Sequence, residues 1–170
     1  MPHQLTRRGL LIGGAAAVSA LAYRALVPPA LAAMPGGGYA VTHTDAQWRK
    51  LLGPDRYAIL RENGTEPANS SALNAEHRAG TYACAGCNLA AFSSATKFDA
   101  GEGWPSFYKP LPNAVRTRAD YEIGIPRTEI HCRRCGSHLG HVFNDGPPPT
   151  GLRYCIDGLA LHFTPDRAPG

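Results

Sequence analysis

Apolar positions fall into two regimes along the chain. Trp48, Leu51, Leu52, Tyr57, Ile59 and Leu60 recur at helical spacing. Thr44-Asp45-Ala46-Gln47 has capping-box spacing: the Thr44 hydroxyl can accept from the Gln47 amide while Gln47 reaches back. Gly53 ends that first helix, Pro54 suits the first turn of a second, and Asn63-Gly64 closes it. Residues 66–80 are polar and loop-like. From Thr81 onward the apolar runs are short and punctuated by Gly, Pro, Asn and Asp. Candidate strands are 81–84, 114–118, 128–132, 139–143 and 152–163, the last broken near Asp157-Gly158. There are no heptads, no repeat beyond two Cys pairs and no phosphate-binding Gly-rich loop. The pattern predicts small N-terminal helices followed by a mainly β, antiparallel domain.

The first 32 residues read differently. Arg7-Arg8 precede an uncharged run, Gly9 to Tyr23, too short and too rich in Gly and Ala for a membrane span of about 20 apolar residues. Ala30-Leu31-Ala32 has the small-residue spacing of a signal-peptidase site. Thr6-Arg7-Arg8-Gly9-Leu10-Leu11 resembles a twin-arginine signal. Residues 1–32 are therefore expected to be an export signal, 33–43 a flexible leader, 44–165 the folded domain and 166–170 a tail. The expected location is the bacterial periplasm, without stable membrane association after cleavage. The alternative is an uncleaved anchor, and Arg24 bears on that choice.

Charge adds an exclusion. The formal net charge is +4, but Arg7, Arg8 and Arg24 lie in the acid-free N-terminal segment, leaving the rest nearly neutral. No nucleic-acid partner is expected. Few aromatics with 19 Gly and 15 Pro favour a loop-rich fold that needs a staple beyond its core.

Cysteine supplies that staple. Cys84-Ala-Gly-Cys87 and Cys132-Arg-Arg-Cys135 are two C-x-x-C knuckles, separated by residues 88–131. Four thiolates turned toward one point suit one structural zinc with no open position. Two disulfides or a redox C-x-x-C are the alternatives, since an exported protein meets an oxidising compartment. Cys155 is left over, either reactive or a buried apolar Cys. Arg153, two residues upstream, shares its face on a regular strand, and a nearby cation favours thiolate. His138 and His141 are candidate proton donors, although spacing alone does not bring them to Cys155.

Taken in order, these segments resemble the B-type methionine sulfoxide reductases. The likeness is carried by Arg61-Glu62-Asn63-Gly64-Thr65-Glu66, the two knuckles, Phe92-Ser93-Ser94, Lys97-Phe98-Asp99, Gly103-Trp104-Pro105-Ser106-Phe107, His138-Leu139-Gly140-His141-Val142-Phe143 and Arg153-Tyr154-Cys155-Ile156. The resemblance implies two antiparallel sheets with peripheral helices, a zinc-stapled fold of the Mss4-like or β-tent type. It implies reduction of methionine-R-sulfoxide, free or in oxidised proteins, with a thioredoxin-like or other external thiol as reductant. It implies Cys155 as nucleophile, His138 and His141 as the imidazoles that bind substrate and protonate its oxygen, and Arg153 as the residue assisting Cys155. Trp104 is implied to pack on the substrate methyl group.

Two departures stand out. Asp157 occupies a substrate-side position where the family often has Asn. Glu102 stands where many members carry a resolving Cys just before Gly-Trp-Pro. Rival readings are a non-catalytic zinc module that binds a partner protein, and a lyase or hydrolase whose His138 and His141 hold a second metal.

Overall fold

The structure, a computed structural model, describes residues 38–167; the expected export signal lies outside the described residues. The first element is α1 (Asp45–Glu62). Its capping box forms as expected, with Thr44 Oγ1 accepting from the Gln47 amide and Gln47 Oε1 accepting from the Thr44 amide. Gly53 breaks the helical path at φ 70°, so α1 is two short helices joined at a bend. Asn63 ends it in the left-handed conformation. Trp48, Leu52, Tyr57, Ile59 and Leu60 are buried, whereas Leu51 faces solvent. The loop that follows contains one 3₁₀ turn, Ala72–Ala75.

Two antiparallel sheets follow, as expected. β1 (Gly80–Cys84), β2 (Ala90–Ser93) and β9 (Leu161–Pro165) form one, in the order β2-β1-β9. The other contains β3 (Lys97–Phe98), β4 (Ser106–Phe107), β5 (Val115–Asp120), β6 (Arg127–Cys132), β7 (His138–Phe143) and β8 (Arg153–Ile156). Its order is β3-β4-β8-β7-β6-β5. The break anticipated near Asp157-Gly158 is where the chain changes sheet, through a 3₁₀ turn at Gly158–Ala160. β2, β3 and β4 were not anticipated; each is four residues or fewer, too short for an alternating pattern.

Aromatic packing joins the layers. Phe92 of β2 stacks on Phe107 of β4 at 4.5 Å between ring centroids, and Tyr82 of β1 meets the same ring edge-on at 5.0 Å. The second junction is sulfur. Cys84 ends β1 and Cys87 lies in the β1–β2 turn, while Cys132 ends β6 and Cys135 lies in the β6–β7 turn. All four Sγ atoms lie within 4.8 Å of one another. Both knuckles close alike: Asn88 and Gly136 adopt positive φ, and their amides donate to the carbonyls of Cys84 and Cys132 at 2.8 Å.

The sulfur spacing fits a metal. Cys84 and Cys135 are 3.7 Å apart, and Cys87 and Cys132 are 3.5 Å apart. A tetrahedron with metal–sulfur bonds of about 2.3 Å puts its sulfurs roughly 3.8 Å apart. A disulfide would need about 2.05 Å. The four cysteines can therefore hold one ion that bridges the two sheets. Cys84→Ser and Cys132→Ser should each lose bound metal and a large part of the stability, since structural zinc supplies on the order of 10 kcal/mol. Metal analysis with thermal denaturation checks this; a metal-free wild type melting at the same temperature would refute it.

Candidate active site

A His-x-x-His pair on a regular strand points its side chains to opposite faces, because the strand period is two. Here a bulge changes the parity. Ile130 pairs with Gly140, but His131 pairs with His138, so Leu139 is the extra residue on β7. Gly140 takes φ 147°, and a Cβ there would run into the Cys155 carbonyl oxygen and lie 2.9 Å from Ile156 Cα. Glycine thus permits both the bulge and the close approach of β8. As a result the His138 and His141 rings lie 5.4 Å apart. Both line one hollow of about 300 Å³ with Asp120, Tyr121, Glu122 and Glu129.

Strand register brings the nucleophile candidate to this pair. Arg118, Glu129, His141, Cys155 and Ser106 stand opposite one another across β5, β6, β7, β8 and β4. Directly opposed residues share a face. Cys155 is half-buried in that row, between His141 and Ser106.

Carboxylates orient both imidazoles. His138 Nδ1 lies 2.8 Å from Glu129 Oε1, and His141 Nε2 lies 2.7 Å from Asp120 Oδ2. Burial pushes the Glu129 carboxyl up, but its hydrogen bonds from His138 and Arg118 outweigh that and hold it below the usual range. Asp120 is held down at about 2 by the Glu122 backbone amide and by His141. Burial lowers the His141 pKa against the pull of Asp120. His138 is 2% exposed, yet its Nε2 has no hydrogen-bond partner and lies 3.8 Å from Asp157 Oδ2. A buried polar atom without a partner is costly unless a ligand meets it.

With this geometry in view, relatives become informative. A family model described as the SelR domain matches residues 52–165. The peptide methionine sulfoxide reductase MsrB of Thiobacillus denitrificans is 58% identical over 123 residues, covering 72% of this chain and 93% of that protein. The MsrB of Agrobacterium fabrum is 54% identical over 127 residues, covering 74% and 93%. That of Leptospira interrogans is 52% identical over 126 residues, covering 74% and 96%. The chain belongs to the SelR family.

Within this SelR domain the remaining candidates are placed as follows. Arg153 is buried and makes a two-pronged ion pair with Asp145, at 2.9 and 2.7 Å, so part of its charge is engaged there. Burial is the larger influence on Cys155: it pushes the thiol up to about 11, with Arg153 pulling down and Asp157 and Glu102 pushing up. The thiolate preference expected from Arg153 alone is overridden by desolvation. Trp104 lines a different hollow, of about 360 Å³, instead of the histidine hollow. Its segment still runs beside Cys155, because the Ile156 amide donates to the Pro105 carbonyl at 3.0 Å. Among the described residues only the four cysteines converge as a metal-binding group; each histidine already has a carboxylate neighbour. The second-metal reading finds no support in that arrangement.

Glu66 is the functional residue that the sequence reading passed over. It is 3% exposed. Its amide donates to Asp157 Oδ1 at 2.9 Å, and its carbonyl accepts from Trp104 Nε1 at 3.1 Å. Its carboxylate accepts from the amides of Gly158, at 2.5 Å, and Leu159, at 3.0 Å. One residue thereby ties Trp104, Asp157 and the turn after Cys155 together. Its place in the Arg61–Glu66 motif was the available signal, but a lone acid in a polar loop has no periodicity.

Asp157 generates a pH prediction. Burial raises its carboxyl to about 6, against the Glu66 amide and His138, which lower it, while the Glu66 charge adds to the rise. A raised pKa means the folded state holds the proton more tightly. That stabilisation is complete below the ordinary carboxylate range and is lost as pH rises through about 6. Asp157→Asn should therefore gain stability above pH 6 relative to wild type, by up to about 3 kcal/mol. It should also bring the Cys155 titration down from about 11. Denaturation at several pH values and thiolate absorbance measure the two effects. An unmoved thiol titration would mean that the Asp157 charge does not reach Cys155.

Proposed function

We propose that this protein reduces methionine-R-sulfoxide with Cys155 as nucleophile and His138 and His141 as the groups that bind and protonate the sulfoxide oxygen. The observation carrying this reading is the buried, unpartnered Nε2 of His138, whose ring lies 5.4 Å from that of His141, the residue directly opposite Cys155. A sulfoxide oxygen is the acceptor that a protonated Nε2 would meet. Glu129 on Nδ1 fixes the ring and stabilises its charge. Arg153 moderates the thiol. The methyl-packing role of Trp104 follows the family resemblance alone, since Trp104 lines a different hollow from the histidines. The R preference follows the family resemblance.

The chemistry balances as follows. Cys155 sulfur bonds to the sulfoxide sulfur while the oxygen, protonated by the site, leaves as water. Water then adds to Cys155 sulfur, the sulfur–sulfur bond breaks, and methionine leaves with the electron pair. The substrate sulfur gains two electrons and Cys155 becomes a sulfenic acid. An external thiol condenses with it, releasing water, and a second thiol frees Cys155 as a disulfide departs. Glu102, whose charge is felt at Cys155, cannot form a disulfide, and the other four cysteines hold the metal, read as zinc for their soft sulfur set.

Separated R and S epimers of N-acetylmethionine sulfoxide, assayed with dithiothreitol, test this. Wild type should reduce only R, and Cys155→Ser should be inactive with metal retained. His138→Ala should slow single turnover by about 10²–10⁴. One equivalent of substrate without reductant should remove one thiol and add one oxygen in mass, with metal kept. Turnover by Cys155→Ser, or loss of two thiols with metal release, would overturn the scheme.

The proposal extends to export and repair of oxidised exported proteins. Support comes from the Arg7-Arg8 segment and from the family match beginning at residue 52, which leaves that segment outside the SelR domain. Arg7→Lys with Arg8→Lys should retain the protein in the cytoplasm on cell fractionation. Unchanged export would remove the twin-arginine route.

A further inference from the structure

The hairpin joining β5 and β6 reverses direction at Gly124, φ 77°, whose amide donates to the Tyr121 carbonyl at 3.0 Å. Its tip carries three of the four exposed large apolar side chains among the described residues: Tyr121 is 67% exposed, Ile123 60% and Ile125 63%. The fourth, Leu51, lies on α1. Clustered apolar exposure marks a contact surface, whereas scattered exposure needs no explanation.

Two observations say what the tip contacts. Tyr121 lines the hollow that holds His138 and His141, so the patch is continuous with the site proposed above for the sulfoxide. The ionic groups beside it are already partnered within the chain: Arg118 with Glu129, and Arg127 with Asp120 at 2.6 Å. The Glu122 carboxylate accepts from Asn63 at 3.4 Å. A charged ligand therefore finds few free partners, and an apolar one finds Ile123 and Ile125. Methionine in proteins is mainly a core residue, and its sulfoxide disrupts the packing around it. Sulfoxides in damaged proteins thus become accessible with apolar neighbours.

We propose that the Tyr121–Ile125 tip docks the apolar residues flanking methionine sulfoxide in a loosened polypeptide, and so sets preference among protein substrates. This rests on the reductase reading and deepens it. The test compares the full-length wild type with Ile123→Ser/Ile125→Ser on three substrates: N-acetylmethionine sulfoxide, a peptide with Leu flanking the sulfoxide, and the same peptide with Ser flanking it. The variant should lose about tenfold in kcat/KM on the Leu-flanked peptide, mainly through KM. Its rates on the other two should hold. Equal kcat/KM for wild type and variant on the Leu-flanked peptide would overturn the inference, as would parallel losses on all three substrates. A wild-type dimer that dissociates in the variant while peptide preference stays the same would assign the tip to self-association and also overturn it. Wild type inert on every sulfoxide would sink the reductase reading, and this inference with it, whereas the earlier outcomes leave the reductase reading standing.

Discussion

This architecture turns on four sulfur atoms placed to share one metal ion. Each knuckle alone is a tight turn between two strands, and neither turn joins the three-stranded sheet to the six-stranded one. Bringing Cys84 and Cys87 within 4.8 Å of Cys132 and Cys135 does so. The aromatic contacts of Phe92, Tyr82 and Phe107 form a second junction, but with many strands of six residues or fewer the apolar core is modest. The metal-binding turn also has a consequence for the site. Cys135 lies three residues before His138, so the knuckle sets where β7 begins. Arg61 reinforces that point from α1 by donating to the Cys135 carbonyl at 3.2 Å.

From that anchored start, β7 places two imidazoles on one face through a single extra residue. Without the bulge at Leu139–Gly140, His138 would turn away from the row that runs Glu129, His141, Cys155, Ser106. Glu66 fixes the turn that follows Cys155. Because it binds Asp157, Trp104, Gly158 and Leu159 at once, those groups move together or not at all. Their coupling puts the loop after α1 into the site, although it contributes no reacting atom.

Much of this was legible in the sequence because each legible element has a local cause. The capping box at Thr44, the stop at Gly53, the two knuckles and the change of sheet near Asp157 all follow from residues within a few positions of the event. What escaped depends on partners far away in the chain. β3 and β4 are two-residue strands defined by pairing, β4 with the distant β8 and β3 with β4. The approach of His141 to Cys155 is a matter of register between β7 and β8. Gly140 was visible inside the His-Leu-Gly-His motif, and an isolated glycine in a strand is a bulge signal. The proximity of Arg153 to Cys155 was also legible, but the outcome was not, since burial and Asp145 enter only in three dimensions.

At Cys155 burial and reactivity pull in opposite directions. A Cys155 thiol held at about 11 is almost wholly protonated near neutral pH, and a protonated thiol is a poor nucleophile and a poor target for adventitious oxidants. Resting inertness is useful to a chain proposed to work outside the cytoplasm. Reactivity must then arrive with the substrate. In the proposed reaction a sulfoxide oxygen at His138 would draw positive charge into the site, and that charge would favour the thiolate in the same step that makes the substrate sulfur electrophilic. Asp157 works against this while ionised. With its carboxyl raised to about 6, its protonated fraction grows as pH falls. In the proposed reaction this sets a suppressed nucleophile against a carboxyl that becomes a better proton donor at lower pH.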